Sequence, residues 1–222
     1  MYQFNFQPVF ENLDLLLYGA WLTVRLSFLA MILGLVVSLL GAVAKTSAIR
    51  PLRWLVDVYV EVIRNTPFLI QIFFIFFGLP AVGISMSPNT AALVALVVNV
   101  GAYGTEIIRA GIESIPKGQI EAGRALGLSS LNIFRYVVVV PALRNIYPAL
   151  TSQFIYLMLT SSVVSVISAN DLASAGADLN ARTFASFEIY LVLTAMYFLL
   201  ALGFSTLFAA VRRVFFTYPA SR

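Results

Sequence analysis

The sequence contains no cysteine and no histidine, and these two absences exclude several kinds of chemistry. Without cysteine there are no disulfides and no thiol nucleophile, and without either residue the usual ligands of a zinc site are missing. Histidine proton relays are excluded as well. The 14 lysine and arginine residues form no cluster or stripe typical of nucleic-acid binding. No glycine-rich phosphate loop of the Walker type is present, so the chain cannot itself hydrolyse ATP.

Charged residues are also scarce. They make up 11% of the 222 residues, whereas soluble domains carry about 25%. Hydrophobic residues account for 60%, and the mean hydropathy is +0.92. A soluble domain of this length could not bury so much apolar surface in one core, so the composition predicts a membrane protein. The first positive charge is Arg25, which leaves no basic region for a signal peptide, and we expect the first helix to remain as an anchor.

Long stretches without charge predict the membrane spans, since about 20 apolar residues cross the hydrocarbon core. Residues 26–44, 145–170 and 189–211 each give one span. Residues 65–105 are too long for one, and the breakers at 78–80 and 87–89 divide them into two. The second helix is expected to begin near Trp54. The prediction is a single all-α domain over residues 1–222 with five transmembrane helices.

The distribution of positive charge predicts the orientation of these helices. With the N-terminus outside the cell, every lysine and arginine except Arg25 and Arg182 falls in an inner loop or the tail. The reverse orientation would violate the positive-inside rule. We therefore expect a periplasmic N-terminus and a cytoplasmic C-terminus.

The segment 1–17 mixes aromatic residues with Glu11 and Asp14. Two interpretations stay open for it. It is either an amphipathic helix lying on the outer membrane surface or a frayed terminus.

Residues 106–144 form an inner loop far longer than most helix connections. Ser114 and Pro116 predict the start of a short helix at 117–126, and Gly127 fits a left-handed C-terminal cap. Ser129 or Ser130 can cap a second short helix, 131–139, which ends before Pro141. The physics leaves two alternatives for this bend: docking into a groove on another protein, or lying on lipid.

Residues 121–127, Glu-Ala-Gly-Arg-Ala-Leu-Gly, resemble the EAA motif of binding-protein-dependent ABC importers. The family pattern is EAA, three residues and then glycine. The blocks at 61–67, 71–80, 106–112 and 114–119 resemble the permeases of its polar-amino-acid subfamily. The resemblance extends over residues 18–213, nearly the whole chain.

This resemblance implies a type I ABC importer permease in the bacterial inner membrane. It implies three kinds of partner: a cytoplasmic ATPase dimer that holds ATP and magnesium, a second permease subunit, and a periplasmic or surface amino-acid-binding protein. The chain itself would bind no cofactor and no metal, and would act as a transport subunit rather than an enzyme. The motif assigns ATPase coupling to Glu121, Ala122, Gly123, Gly127 and Lys117.

Two departures from the family pattern limit which residue roles can be carried over from the family to this chain. The proline usual thirteen residues after the EAA glycine is replaced by Val140, and Pro141 follows it. Leu159 and Thr160 occupy the positions of a lysine–aspartate pair that many members carry. We hypothesise that a second, non-identical permease supplies this pair, which favours a heterodimer over a homodimer.

Charged residues near the spans are expected to face the interior, because charge in lipid is costly. Glu61 with Arg64, and Glu106 with Arg109, are each three residues apart and can pair on one helix face. Such pairs either fix helix ends or form a gate. Pro67, after Thr66, should kink the second helix and free a backbone carbonyl.

Polar residues deeper in the spans are candidates for lining a substrate pathway, although such residues are more often interhelical glue. They are Gln71, Asn99, Tyr103, Gln153, Tyr156, Ser161 and Ser162. Gly34, Gly41, Gly101 and Gly104 are instead expected to be points of close helix packing.

An ion-coupled secondary transporter of small polar solutes is the alternative function. It would leave the bend at 106–144 unexplained, and no inverted repeat supports it. The identity of the amino acid does not follow from the sequence.

Overall fold

The computed structural model describes residues 4–215, and these residues form helices joined by short turns, with no β-strand among them. The α-helices are α1 (Gln7–Glu11), α2 (Leu13–Thr46), α3 (Arg50–Arg64), α4 (Phe68–Phe73), α5 (Pro88–Glu113), α6 (Lys117–Ala125), α7 (Ser130–Asn132), α8 (Val140–Thr160), α9 (Leu172–Thr183) and α10 (Ser186–Phe215). Four helices are long and apolar enough to cross a membrane, or five if the bent pair Arg50–Arg64 and Phe68–Val82 is counted as one span.

The centre of the bundle is the contact between α2 and α5. The predicted close-packing glycines lie in it: a Cβ atom on Gly104 would be 2.1 Å from Ser38 Oγ, and one on Gly41 would be 2.2 Å from Thr105 Oγ1. A Cβ atom on Gly34 would lie 2.7 Å from Val100 Cγ1, and one on Gly101 would lie 2.6 Å from Tyr59 Oη. Both distances are too short for a side chain to be present. Small residues therefore let the two backbones meet directly, as in many membrane helix pairs.

The second span is broken rather than kinked. The axes of Arg50–Arg64 and Phe68–Val82 meet at 111°, with the break at the predicted Thr66–Pro67 step. The second helix starts at Arg50, earlier than the predicted start near Trp54, since Pro51 suits a first helical turn. After α4 the chain continues through a π-helical turn, Phe74–Gly78, and a 3₁₀ turn, Leu79–Val82.

The fourth span corrects the prediction of a separate short helix at 131–139. Ser129 accepts a hydrogen bond from Asn132 N and caps α7, as expected, but the helix then runs unbroken over Ser130–Ile167. Its segment Ile133–Val139 is π-helical, and Pro141 follows within the first two residues of α8. Pro148 lies inside α8 as well.

We call the end of the bundle that carries α6 the elbow end and the opposite end, which carries α9, the far end. The far end contains α9, a helix that the sequence analysis missed. Asp171 caps it by accepting from Ser174 N at 2.7 Å, and Tyr197 donates to the same carboxylate at 3.2 Å. Burial raises the pKa of Asp171, although its hydrogen bonds act in the opposite direction.

The described part of the N-terminal segment is helical over most of its length. Within the described part of it, α1 is a five-residue helix, and residues 13–17 are the first turn of α2. Asn5 N donates to Glu188 at 2.8 Å, which ties this segment to α10. Met1, Tyr2 and Gln3 lie outside the described residues.

Candidate functional site

Gln71 forms a polar node where the second span breaks. Pro67 has no N–H, so the carbonyl of Ile63 loses its usual helical donor. The Gln71 side-chain amide replaces it, donating to Ile63 O at 2.7 Å and to Thr66 O at 3.0 Å. The side chain is 7% exposed. The sequence placed Gln71 among pathway candidates, and the structure shows it bound to the freed backbone.

Asn99 extends this node into α5 by donating to Gln71 Oε1 at 2.9 Å. Tyr103 lies one turn further along α5, and the Arg64 guanidinium lies over its ring, 5.5 Å from the centroid. Arg64 therefore does not form the predicted pair with Glu61. The Glu61 carboxylate instead accepts from the Asn65 amide at 2.8 Å.

A cleft with a volume of about 500 Å³ opens beside the break in the second span. Side chains on both sides of the break line it, among them Val62, Ile70 and Phe74, together with Val94 and Val98 of α5. Thr66 and Gln71 are the polar residues of this lining, but almost none of the accessible surface is polar, because the Gln71 amide is engaged in the hydrogen bonds described above. The cleft therefore presents an almost wholly apolar wall beside the hinge of the broken helix.

The four candidates on the fourth span do not share one surface with Gln71. Ser161 is fully buried and donates to Met158 O, whereas Ser162 donates to Leu159 O on an exposed turn. Tyr156 is 59% exposed. Gln153 has a buried Nε2 that contacts no acceptor in the described residues. The structure thus joins Gln71, Asn99 and Tyr103 around the break, whereas the hydrogen bonds of Ser161 and Ser162 stay within the fourth span.

A chain of ion pairs crosses three helices at the elbow end. Lys45 of α2 contacts Asp57 of α3 at 2.7 Å and Glu106 of α5 at 2.5 Å. The predicted Glu106–Arg109 pair is formed at 2.8 Å, and Arg109 also contacts Glu113. Sequence spacing could find only the pairs within α5. Lys45 and Asp57 gave no signal beyond being charges at the ends of predicted spans.

The elbow consists of α6 and the turn at Gly127 that leads into α7. Gly127 has φ +73°, which confirms the predicted left-handed cap. A Cβ on Gly123 would lie 3.2 Å from Ile133 Cγ1, so a small residue lets α6 pack on the start of the long helix. Ser114 does not cap α6 as predicted. It donates to Gly111 O instead, and Pro116 occupies the N-cap position.

The outer surface of the elbow is exposed and mixed in character. Lys117, Glu121 and Ala122 all face outward, while Leu126 and Leu131 are 80% and 73% exposed. Apolar side chains flanked by charges on a rigid bend are typical of a docking surface.

The fold and elbow agree with one protein family. A family model described as binding-protein-dependent transport system inner membrane component matches residues 33–215, and the chain belongs to this family. It is the permease subunit of an ABC importer, with an ATPase and a binding protein as partners, and ATP is hydrolysed by the partner subunit. Membership supports this function over an ion-coupled secondary transporter.

Two individual relatives and one solved structure are similar to this chain over most of its length. The chain is 38% identical to the L-cystine transport system permease protein TcyB of Bacillus subtilis, over 81% of this chain and 74% of that one. It is 36% identical to the glutamine transport system permease protein GlnP of Escherichia coli, over 95% and 97%. A solved amino acid ABC transporter with histidines superposes with a TM-score of 0.89 at 37% identity, covering 96% of this chain and 99% of the other. The fold is the type I importer permease fold.

Proposed function

We propose that this chain forms the translocation pathway of an ATP-driven importer of polar or charged amino acids. The observation that carries the proposal is the elbow, an exposed bend with the EAA pattern in a chain of this family. The names of the relatives support amino acids as the class of cargo. ATP and magnesium belong to the partner ATPase, and this chain binds neither.

The proposed coupling surface is the outer face of α6. Glu121 carries an exposed carboxylate, and Ala122 beside it leaves the backbone accessible to a partner. Gly123 and Gly127 shape the bend from within, and Lys117 stands at its start. In this arrangement Glu121 pairs with a basic group of the ATPase, while the exposed leucines enter an apolar groove.

The proposed orientation has the elbow in the cytoplasm of a bacterial cell and the far end in the periplasm. The distribution of positive charge supports it, because the described lysines and arginines concentrate at the elbow end. The cleft beside Gln71 is the proposed entrance to the pathway within this subunit. Its partner is proposed to be a non-identical permease, because Leu159 and Thr160 replace the charged pair of many members.

The test is co-purification of the ATPase with this permease in detergent. Wild type is compared with Glu121→Arg/Ala122→Arg, two exposed positions at which the new side chains need no repacking. The recovered ATPase should fall by about tenfold or more, since unlike partners become like charges. Glu11→Arg makes the charge reversal of Glu121→Arg at the far end and should leave recovery unchanged.

Recovery of ATPase by wild type and its loss only in the elbow variant supports the proposed function. A monodisperse, correctly folded wild type that recovers no ATPase contradicts it. Uptake that persists after ATP depletion and collapses with an ionophore would favour the secondary transporter instead.

A further inference from the structure

The chain of ion pairs at the elbow end has Lys45 at its centre. Its ammonium group contacts carboxylates of two different helices, Asp57 and Glu106, and each contact is at most 2.7 Å long. The side chains of Lys45 and Glu106 are 15% and 17% exposed, whereas Asp57 is 52% exposed. Lys45 therefore joins a half-exposed carboxylate of α3 to a sheltered carboxylate of α5.

Lys45 also balances the negative charge of this series of ion pairs. Its removal would leave Asp57 and Glu106 facing each other without the cation between them, and Arg109 would remain on the Glu106 side only. Like charges at this distance repel, most strongly where water is partly excluded. The charged link between α3 and the sheltered carboxylate of α5 therefore depends on one ammonium group.

The series of ion pairs leads at one end to the elbow. Arg109 contacts Glu113, the last residue of α5. The next residue, Ser114, accepts from the Asn145 amide at 3.0 Å, which joins this point to α8. The elbow helix α6 begins only three residues later, at Lys117.

At its other end, the series of ion pairs leads through Asp57 to α3 and the break in the second span. Three polar contacts join α3 to α2 and α5: Asp57 to Lys45, Tyr59 Oη to Val98 O at 2.6 Å, and Arg64 over Tyr103. Only the first of these belongs to the chain that reaches the elbow. Val60 is the one buried residue of α3. The position of α3 therefore depends on few buried contacts, and the helix can move at a low cost in free energy.

We propose that Lys45 is a positioning residue that couples movement of the elbow to α3, and so to the hinge and cleft at Thr66–Pro67. The inference rests on the proposed function, because it assigns a role in an ATP-driven cycle. Lys45 touches neither ATP nor substrate. It holds α3 against α5 so that both shift together when the ATPase moves the elbow.

The experiment uses the complete transporter, with its ATPase, partner permease and binding protein, in proteoliposomes. Amino-acid uptake and ATP hydrolysis are measured together for wild type, Lys45→Met and Lys45→Arg. Lys45→Met should lower the number of molecules transported per ATP by about tenfold while ATP hydrolysis continues. Lys45→Arg keeps the cation and should restore most of this ratio. Arg53→Met removes an exposed charge of α3 outside the ion chain and should keep the wild-type ratio.

A merely structural role would lower the amount of assembled transporter without changing the ratio of uptake to hydrolysis, and that result overturns the inference. Should Lys45→Met not assemble, Asp57→Asn removes only the link to α3 and keeps the Lys45–Glu106 contact. A wild-type ratio in that variant also overturns the inference. Wild-type vesicles without ATP-dependent uptake would refute the proposed function itself, and the inference with it.

Discussion

The α2–α5 pair and the broken second span lie side by side, yet they are built on opposite principles. In the pair, glycines bring the two backbones together, and Ser38 and Thr105 satisfy their hydroxyls on backbone carbonyls within the contact. In the broken span, a proline removes a helical hydrogen bond and a glutamine replaces it. The first arrangement has no space to change, whereas the second has a hinge closed by one side chain. Rigidity and movement are thus separated between neighbouring helices.

Gly104→Val should have the largest effect, because it inserts a side chain into the rigid pair. The Cβ atom alone would overlap Ser38 Oγ, and both helices would have to separate. Overpacking of this kind costs about 1–3 kcal/mol. Thermal unfolding of the detergent-solubilised protein measures it. Gly203→Val is the matched control, since nothing lies within 4 Å of a Cβ there. Equal melting temperatures for the two variants would show that α2 and α5 are not in this contact.

Gln71→Leu should have an intermediate effect, because it opens the hinge without changing the pair. The carbonyls of Ile63 and Thr66 and the amide of Asn99 would lose their partner. Unsatisfied buried groups cost about 1–3 kcal/mol, and membrane hydrogen bonds average about 0.6 kcal/mol. We expect a destabilisation of about 2 kcal/mol and faster amide hydrogen exchange at residues 63–66.

Asn99→Ala is the control for this hinge. It removes one hydrogen bond but leaves both freed carbonyls bound to Gln71, so the loss should be smaller. If Asn99→Ala destabilises the protein as much as Gln71→Leu, the node stabilises the contact with α5 rather than the break.

Gly127→Ala should have the smallest effect on stability. Its φ of +73° disfavours any residue with a Cβ, at a cost of about 1–2 kcal/mol, but the elbow lies outside the packed bundle and can relax. The melting temperature should change little, while ATPase recovery should fall. Gly118→Ala, in the helix α6 that precedes Gly127, has open space and no positive φ, and should behave as wild type in both assays.

Local signals predicted those parts of the fold that depend on one segment. The cap at Gly127, the cap at Ser129 and the step at Pro67 follow from backbone chemistry, and all three are present. The length of charge-free stretches likewise located the spans but not their ends. Helix α2 begins at Leu13 and α5 continues to Glu113, because Arg25 and Glu106 find solvent or partners without ending a helix.

Features that depend on two distant segments could not be predicted. Pro141 suggested a helix end, yet the helix continues through it from the π-helical segment into α8. Glu61 and Arg64 have the right spacing for a pair, but Asn65 and Tyr103 offer each a nearer partner. The contact of Lys45 with Asp57 joins helices whose relative position no periodicity encodes. For the same reason, Gln71 was recognised as polar and buried without its role at Ile63 being foreseen.

The fourth span is continuous over Ser130–Ile167, and its central helix α8 can act as a lever between the elbow and the far end. At 1.5 Å per residue the 21 residues of α8 extend about 32 Å. A tilt of about 5° at one end of a rod of that length displaces the other end by about 3 Å, roughly the rise of two residues. A shift too small to disturb the packing around Gly123 would therefore reach the far end of α8 as a movement of about 3 Å.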